Sequence, residues 1–412
     1  MKKTYVLFLI AYLFIYEFFD TYCTSYYTAV VSYIQADFKI DHSQWYMVMA
    51  LASLGMFLAM FSQLFADVFG RKLMMITVFF GMGLSSLIMY LSQSKVQFIA
   101  GFFLLWVFFS SDIWVIVVSE ESPKEKRARY ASLVLVFGSL GGIAIPFLRG
   151  LFIHSLPSDD PTLWRTMTYL AILALPLSLL GFFMKETQAF AIQKSESGQF
   201  NLKKALAMVK QPFILVPKSI MLVFLIIGVV SGMLMGAYST LEAYLTKMIG
   251  NTRIINNTLT AAAIGTLIFF VTTGLLADKW GRKQVFCYCF GLNFISSLLF
   301  ILMMPSLTAA KNYIPIYIIT IIAYGSYWGL LFLSKIHCLE CFPTEIRGTS
   351  AGLRSLSFAF GLTSGSLLCS ALSTVMSLDE IYVLFSGIAV LIIPFLVIKF
   401  LPETKGIKIT GA

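Results

Sequence analysis

The chain has 412 residues, 58% of them hydrophobic and only 12% charged, with a formal net charge of +10. Soluble domains carry about 25% charged residues, so lipid rather than water must surround most of this chain, and its backbone must be helical or a closed barrel. The positive charge would point to nucleic acid in a soluble protein. Here it matches the basic loops that membrane proteins keep on their cytoplasmic face, and no nucleic-acid partner is expected.

The apolar stretches are continuous runs of about 20 residues, not alternating ten-residue segments, which selects helices over a barrel. In chain order they are predicted at 5–34, 44–66, 73–92, 98–120, 129–153, 163–184, 216–246, 257–277, 284–304, 314–340, 348–373 and 380–401. The first is expected to be a retained helix and not a cleaved leader, because Glu17 and Asp20 interrupt it and no small-residue cleavage site follows. The polar gap at 185–215 divides an N-terminal bundle, 1–184, from a C-terminal bundle, 216–412. With the N-terminus inside, 22 of the 30 lysines and arginines fall on cytoplasmic ends and loops. Both termini and the central loop are therefore expected in the cytoplasm. The predicted fold is an all-α membrane protein of twelve transmembrane helices in two pseudo-symmetric six-helix bundles, with a multi-pass location in the cell membrane.

Three landmarks repeat. Ala66-Asp67-Val68-Phe69-Gly70-Arg71-Lys72 follows the second run, and Gly274-Leu275-Leu276-Ala277-Asp278-Lys279-Trp280-Gly281-Arg282-Lys283 follows the eighth. The two aspartates lie 211 residues apart, close to half the chain. Glu120-Glu121-Ser122-Pro123 follows the fourth run and Glu340-Cys341-Phe342-Pro343 the tenth. Lys185-Glu186-Thr187 ends the sixth run, and Pro402-Glu403-Thr404-Lys405-Gly406 ends the twelfth. Repetition at half-length indicates two similar halves, and parallel six-helix halves place a binding site between them near the bilayer midplane.

On these residues the chain resembles the major facilitator superfamily over its whole length. The two loop segments look like that family's Gly-x-x-x-Asp-x-x-Gly-Arg-Lys/Arg pattern. The second copy is complete at Gly274, Asp278, Gly281, Arg282 and Lys283, and the first has Gln63 where the leading glycine belongs. The Glu-x-x-Pro-Thr-Glu-x-Arg-Gly segment and Pro-Glu-Thr-Lys-Gly resemble the branch of sugar porters, organic-ion transporters and metabolite:proton symporters. Helix 7 lacks the glutamine pair usual in sugar porters, and Glu17-Phe18-Phe19-Asp20 partly resembles the Asp-Gly-Phe-Asp motif of metabolite:proton symporters. The resemblance implies a gate latch of Asp67, Gly70 and Arg71, with Arg127 and Glu120 acting similarly. Gly274, Asp278, Gly281, Arg282, Glu340 and Arg347 would serve the other half. The unequal copies imply an altered latch in the N-terminal half.

Glu17, Asp20, Thr24 and Tyr27 are spaced 3, 4, 3 and share one helix face. A carboxylate at mid-membrane costs about 2.5–3.5 kcal/mol on insertion scales, so this face should line water or protein. Two acids one turn apart repel when both are ionised, which favours proton uptake by one of them. Asp20 is the first candidate proton carrier, with Glu17 its neighbour and Asp112 in helix 4 the next. The alternative is a carboxylate paired permanently with a base. Arg149 has two readings, a clamp for a substrate carboxylate or helix 1 acid, and snorkelling to the outer interface. Glu242 reads as a solvated rim acid. Tyr324 and Trp328 on helix 10 and Tyr238 on helix 7 are candidate cavity walls, because aromatic rings with polar tips suit a ring-bearing solute. Such stripes can equally be packing.

No phosphate-binding loop and no Ser-His-Asp set is present, so neither ATP-driven transport nor an enzyme is indicated. The six cysteines fall almost entirely in apolar runs. His337-Cys338-Leu339-Glu340-Cys341 lacks the second ligand pair a metal needs, so no metal and no cofactor are expected. The expected function is secondary active transport of a small organic acid or sugar by proton symport with alternating access, in a monomer. The alternatives are a proton-coupled antiporter exporting organic cations or amphipathic drugs, and a non-transporting nutrient sensor.

Overall fold

The structure, a computed structural model, describes residues 3–109, 113–121, 127–187, 190, 210–343 and 346–405. Within it the chain is helical, with no strand among the described residues. Ten of its helical segments are long and apolar enough to cross a membrane, and a shorter apolar helix spans Lys95–Val107.

The chain divides into two compact units, Met1–Lys39 with Leu51–Phe200, and Ile40–Ala50 with Asn201–Ala412. In chain order the helices are α1 (Lys3–Ser25), α2 (Val31–Phe38), α3 (His42–Ser53), α4 (Gly55–Phe69), α5 (Arg71–Leu91), α6 (Lys95–Val107), α7 (Ile113–Glu121), α8 (Arg127–Phe152), α9 (Thr168–Ile172) and α10 (Ala174–Ser178). They continue as α11 (Pro212–Leu215), α12 (Lys218–Tyr238), α13 (Leu241–Ile249), α14 (Thr252–Trp280), α15 (Arg282–Ala309), α16 (Ile314–Cys341), α17 (Arg347–Leu372) and α18 (Leu378–Phe400). Residues 40–50 count with the second unit, where the Tyr46 hydroxyl lies 2.8 Å from Thr240 Oγ1.

Several of the predicted runs are not continuous α-helices, and the breaks in the first and the seventh shape the interior. The first ends as α1 at Ser25 and passes through a 3-10 turn, Tyr26–Ala29, before α2 begins. The seventh breaks at Ser239 and Thr240, between α12 and α13. Each break frees backbone carbonyls that a straight helix would engage, and side chains of neighbouring helices take them up, as described below.

Helix α1 lies against α8 in the first unit, and small residues set the approach. A Cβ at Gly141 would collide with the carbonyl oxygen of Phe18, and one at Gly138 would come 2.7 Å from Glu17 Cγ. With lipid outside, helices associate through such close van der Waals contact and not through water exclusion.

Candidate functional site

Each unit carries a cluster of charged groups at the turn between two helices, and the two clusters share most of their bonds. In the first unit α4 ends and α5 begins at Gly70, whose φ of 104° is a conformation that favours glycine. The freed N–H groups at the start of α5 point at Glu186. Its Oε1 accepts from Arg71 N at 3.0 Å, and both its oxygens accept from Lys72 N at 3.3 Å. A carboxylate suits this place because free N–H groups and the helix dipole both favour negative charge. A Cβ on Gly70 would strike that carboxylate. The Arg71 side chain donates to the Ala66 carbonyl at 3.0 Å and to Glu120 Oε1 at 3.2 Å. Thr187 donates to Glu120 Oε2 at 2.5 Å, and Lys72 Nζ to the Phe182 carbonyl at 2.7 Å.

The second unit builds the same object. Gly281 has φ 103°, and Glu403 accepts from Arg282 N at 2.9 Å and Lys283 N at 3.2 Å. Arg282 donates to the Ala277 carbonyl at 2.8 Å, Thr404 to Glu340 at 2.5 Å, and Lys283 Nζ to the Ile398 carbonyl at 2.7 Å. Here the arginine grips its glutamate with two nitrogens. Arg282 Nε and Nη2 each donate to one Glu340 oxygen, at 3.0 and 2.9 Å, and Nη1 also reaches Asp278 at 2.8 Å. A two-bond Arg–carboxylate fork fixes geometry better than one bond. Asp278 is 75% exposed, so its pair with Arg282 is screened by solvent.

Glu186 and Glu403 were visible in the sequence only as part of a repeated landmark. Their role as helix caps was missed, although a Glu-Thr pair repeating at the same offset as the arginines was the available signal. Glu403 is partly desolvated, which opposes its charge, but the N–H groups of Arg282, Lys283 and Lys405 outweigh this and hold its pKa below the ordinary value of 4.5. Glu120 is bonded to Arg71 and Thr187. The side chains of Asp67, Arg127 and Arg347 lie outside the described residues. Among the described residues, Gly274, inside α14, has Phe332 Cε1 alone near its Cβ direction, at 3.7 Å.

The interior of the first unit holds the acids of α1. Glu17 and Asp20 are 7% and 5% exposed. Thr24 does not offer its hydroxyl to a cavity, because Oγ1 donates to the Asp20 carbonyl at 2.7 Å. Tyr27 is in the 3-10 turn and not on the α1 face, and its buried ring packs edge-on against Phe102 at 4.6 Å. The 3, 4, 3 spacing therefore holds for Glu17, Asp20 and Thr24 and fails at Tyr27, where the helix changes pitch. Asp112 lies outside the described residues.

Arg149 does not snorkel. It is 1% exposed, and its Nε donates at 2.7 Å to the Ala29 carbonyl that the break after α1 frees. Its guanidinium carbon stands 5.9 Å from the Tyr33 ring centre. Glu242, expected as a solvated rim acid, is 0% exposed, in the first turn of α13, and accepts from Thr246 Oγ1 at 3.1 Å. The break before α13 turns this residue inward, which run-length reading could not show.

In the second unit the helix break organises a polar network. Tyr324 donates to the Tyr238 carbonyl at 3.2 Å, and Tyr238 donates to Asn293 Oδ1 at 3.1 Å with Ser297 Oγ at 2.9 Å. Asn293 Nδ2 donates to the Ala323 carbonyl at 3.1 Å. Thr240 lies 3.0 Å from the Tyr382 hydroxyl. Beside them is a cavity of about 20 Å³, lined by Tyr238, Ser297, Thr320, Tyr324 and Tyr382 among others. That space holds about one water molecule. Tyr238 and Tyr324 are thus joined through the main chain, while Trp328, half-buried, packs edge-on against Phe270 at 6.4 Å. Asn293 and Tyr382 were not anticipated, since lone polar residues in long apolar runs carry no periodic signal. No group of three or more His, Cys, Asp or Glu arranged to hold a metal occurs among the described residues.

These features define a multi-pass, all-α integral membrane protein with a duplicated charged turn. Residues 13–339 match the sequence model of the Major Facilitator Superfamily, and the chain belongs to that family. It is 25% identical over 343 residues to the sialic acid transporter NanX of Escherichia coli, covering 80% of this chain and 79% of that protein. It is 32% identical over 152 residues to the glucose transporter GlcP of Staphylococcus epidermidis. That match covers 35% of this chain and spans about a third (33%) of the glucose transporter's length. The fold is that of a D-xylose-proton symporter, with TM-score 0.75, 16% identity, and coverage of 98% of this chain and 100% of that one. It is also that of the nucleoside transporter NupG, with TM-score 0.72, 14% identity, and coverage of 96% and 100%. The chain is therefore a membrane transporter of the twelve-helix fold, related to sugar and sialic acid transporters.

Proposed function

We propose that the protein is a proton-coupled symporter that takes up a small sugar or sugar-like organic acid through the cell membrane. The observation that carries this reading is the pair Glu17 and Asp20, both buried and one turn apart on α1. A desolvated pair of acids at that spacing cannot comfortably hold two charges, so one of them exchanges a proton as its surroundings change. Asp20 is the carrier, Glu17 its partner, and Asp112 a second candidate. Arg149, buried beside the freed Ala29 carbonyl, is suited to a carboxylate of the solute or of α1. A sugar or sugar acid as cargo is supported by relatives that are named for glucose and sialic acid.

In this reading the turn clusters are latches on the cytoplasmic side, the side chosen by the lysine and arginine distribution. They hold one conformation while the bundles 1–184 and 216–412, joined by the loop 185–215, exchange access by rocking. The unit of function is a monomer. The test is uptake into proteoliposomes under an imposed pH gradient, with a panel of sugars, sugar acids and organic cations. Accumulation of a sugar or sugar acid only when the outside is acidic is expected. Accumulation that ignores the gradient sinks proton coupling. Cation movement against the gradient replaces symport with antiport, and binding without movement identifies a sensor.

A further inference from the structure

His337 in α16 is fully buried between the rings of Phe224 and Phe286, with centroids 5.7 and 5.8 Å away. Its Nε2 lies 3.0 Å from the carbonyl oxygen of Pro402. A carbonyl only accepts, so Nε2 carries the proton and donates. Nδ1 meets no hydrogen-bond partner among the described residues. Pro402 is the residue immediately before Glu403 and Thr404, the two side chains that close the turn cluster of the second unit. His337 is also three residues before Glu340, the carboxylate that Arg282 and Thr404 both grip. One turn of α16 therefore holds the 402–404 segment twice, through the backbone at Pro402 and through the side chain of Thr404.

The first unit anchors the corresponding segment differently. There the Tyr5 hydroxyl accepts from Lys185 N at 2.9 Å, just before Glu186, and the position matching His337 is the apolar Val117. The duplicated clusters share the glycine turn, the capping glutamate, the arginine and the Glu-Thr pair it meets, but not this anchor. The segment after α18 is held by a side chain on the same helix as Glu340, and the one after the first bundle by a side chain on α1.

We propose that His337 is a positioning residue for the turn cluster of the second unit. Its bond to Pro402 delivers Glu403 to the start of α15 and Thr404 to Glu340, so that the cluster moves as one piece. The consequence for transport rests on the reading of the clusters as latches; the consequence for local order does not.

The test uses the full-length protein in detergent micelles and in proteoliposomes. His337→Phe keeps a ring between Phe224 and Phe286 but removes the donor, and His337→Val is the smaller alternative should that ring be misplaced. His337→Gln keeps an N–H that can reach the carbonyl. Amide exchange is followed on peptides covering 282–285 and 402–405. One lost hydrogen bond corresponds to about 3- to 10-fold faster exchange of the amides that bond to Glu403. That acceleration is expected in the Phe or Val variant, whichever purifies folded, with Gln close to wild type. Wild-type exchange without the donor, or Gln as fast as Phe or Val, overturns the proposal. In transport, the maximal rate is expected to fall with KM unchanged. Faster exchange with no change in transport leaves the anchor standing and removes the latch reading instead.

Discussion

Glu403 caps the first N–H groups of α15, accepting from Arg282 N at 2.9 Å, although the two residues are 121 positions apart. Glu186 does the same for Arg71 at 3.0 Å. The turn motif that marks each half of the chain is therefore completed from the end of that half. Glu403→Gln removes the charge but keeps an oxygen acceptor, and Glu403→Ala removes both. From the usual value of a helix cap, the Ala change should cost about 1 kcal/mol, and Gln less. Melting curves of the purified variants check this order.

The same carboxylate sets a pH dependence. Its pKa is held below 4.5 in the folded protein. A group whose folded pKa is depressed contributes stability above its unfolded pKa and loses it as pH falls through the folded value. Wild-type melting temperature should therefore decline below about pH 4.5 more steeply than that of Glu403→Gln. Parallel curves for the two proteins would remove Glu403 from the acid sensitivity.

Two glycines of one motif should behave oppositely. Gly281→Ala forces a side chain into φ 103° and against Glu403 Oε2, 2.6 Å from the new Cβ. A cost of about 1–3 kcal/mol is expected. Gly274→Ala meets only ordinary contact, with Phe332 at 3.7 Å, and sits inside a helix. It should be neutral or stabilising by up to about 1 kcal/mol. Thermal unfolding of the pair decides. Equal losses would show that Gly274 has a steric role the geometry does not contain.

The arginine forks differ, and substitution by lysine should expose the difference. Arg282 grips Glu340 with two nitrogens and Arg71 grips Glu120 through one at 3.2 Å. Arg282→Lys should slow uptake by about 10-fold, the effect of roughly 1.4 kcal/mol, and Arg71→Lys by less. Initial rates in proteoliposomes measure both. A larger loss in Arg71→Lys would reverse the assignment of the stronger latch.

On α1, Asp20→Asn should abolish gradient-driven accumulation while leaving downhill exchange measurable. Accumulation that survives would exclude Asp20 as the carrier. Thr24→Val should change KM by no more than about 3-fold, because its hydroxyl already serves the Asp20 carbonyl and is not free for a solute. A large rise in KM would mean that Thr24 rotates to meet the solute.

Much of this protein could be read from the chain alone. Run length and the near absence of charge within runs dictate transmembrane helices, because a lipid-facing backbone has no other partner for its N–H and C=O groups. Repetition at half-length of Asp-x-x-Gly-Arg-Lys, of Glu-x-x-Pro and of Glu-Thr marks the duplication, since each is a local pattern on contiguous residues. The acids of α1 stand out because a charge in an apolar run is expensive.

What sequence could not supply depends on contacts between residues far apart in the chain and on where helices stop. Glu186 meets Arg71 and Glu403 meets Arg282 only once the helices of a unit have packed. The breaks at Tyr26–Ala29 and at Ser239–Thr240 carry no proline or glycine to announce them. Yet they turn Glu242 inward, move Tyr27 off the α1 face and free the Ala29 carbonyl that keeps Arg149 inside. Composition and periodicity report the solvent each stretch prefers. Which buried polar group finds which partner is decided by tertiary packing, because in a dry interior every such group must be satisfied by whatever the neighbouring helix presents.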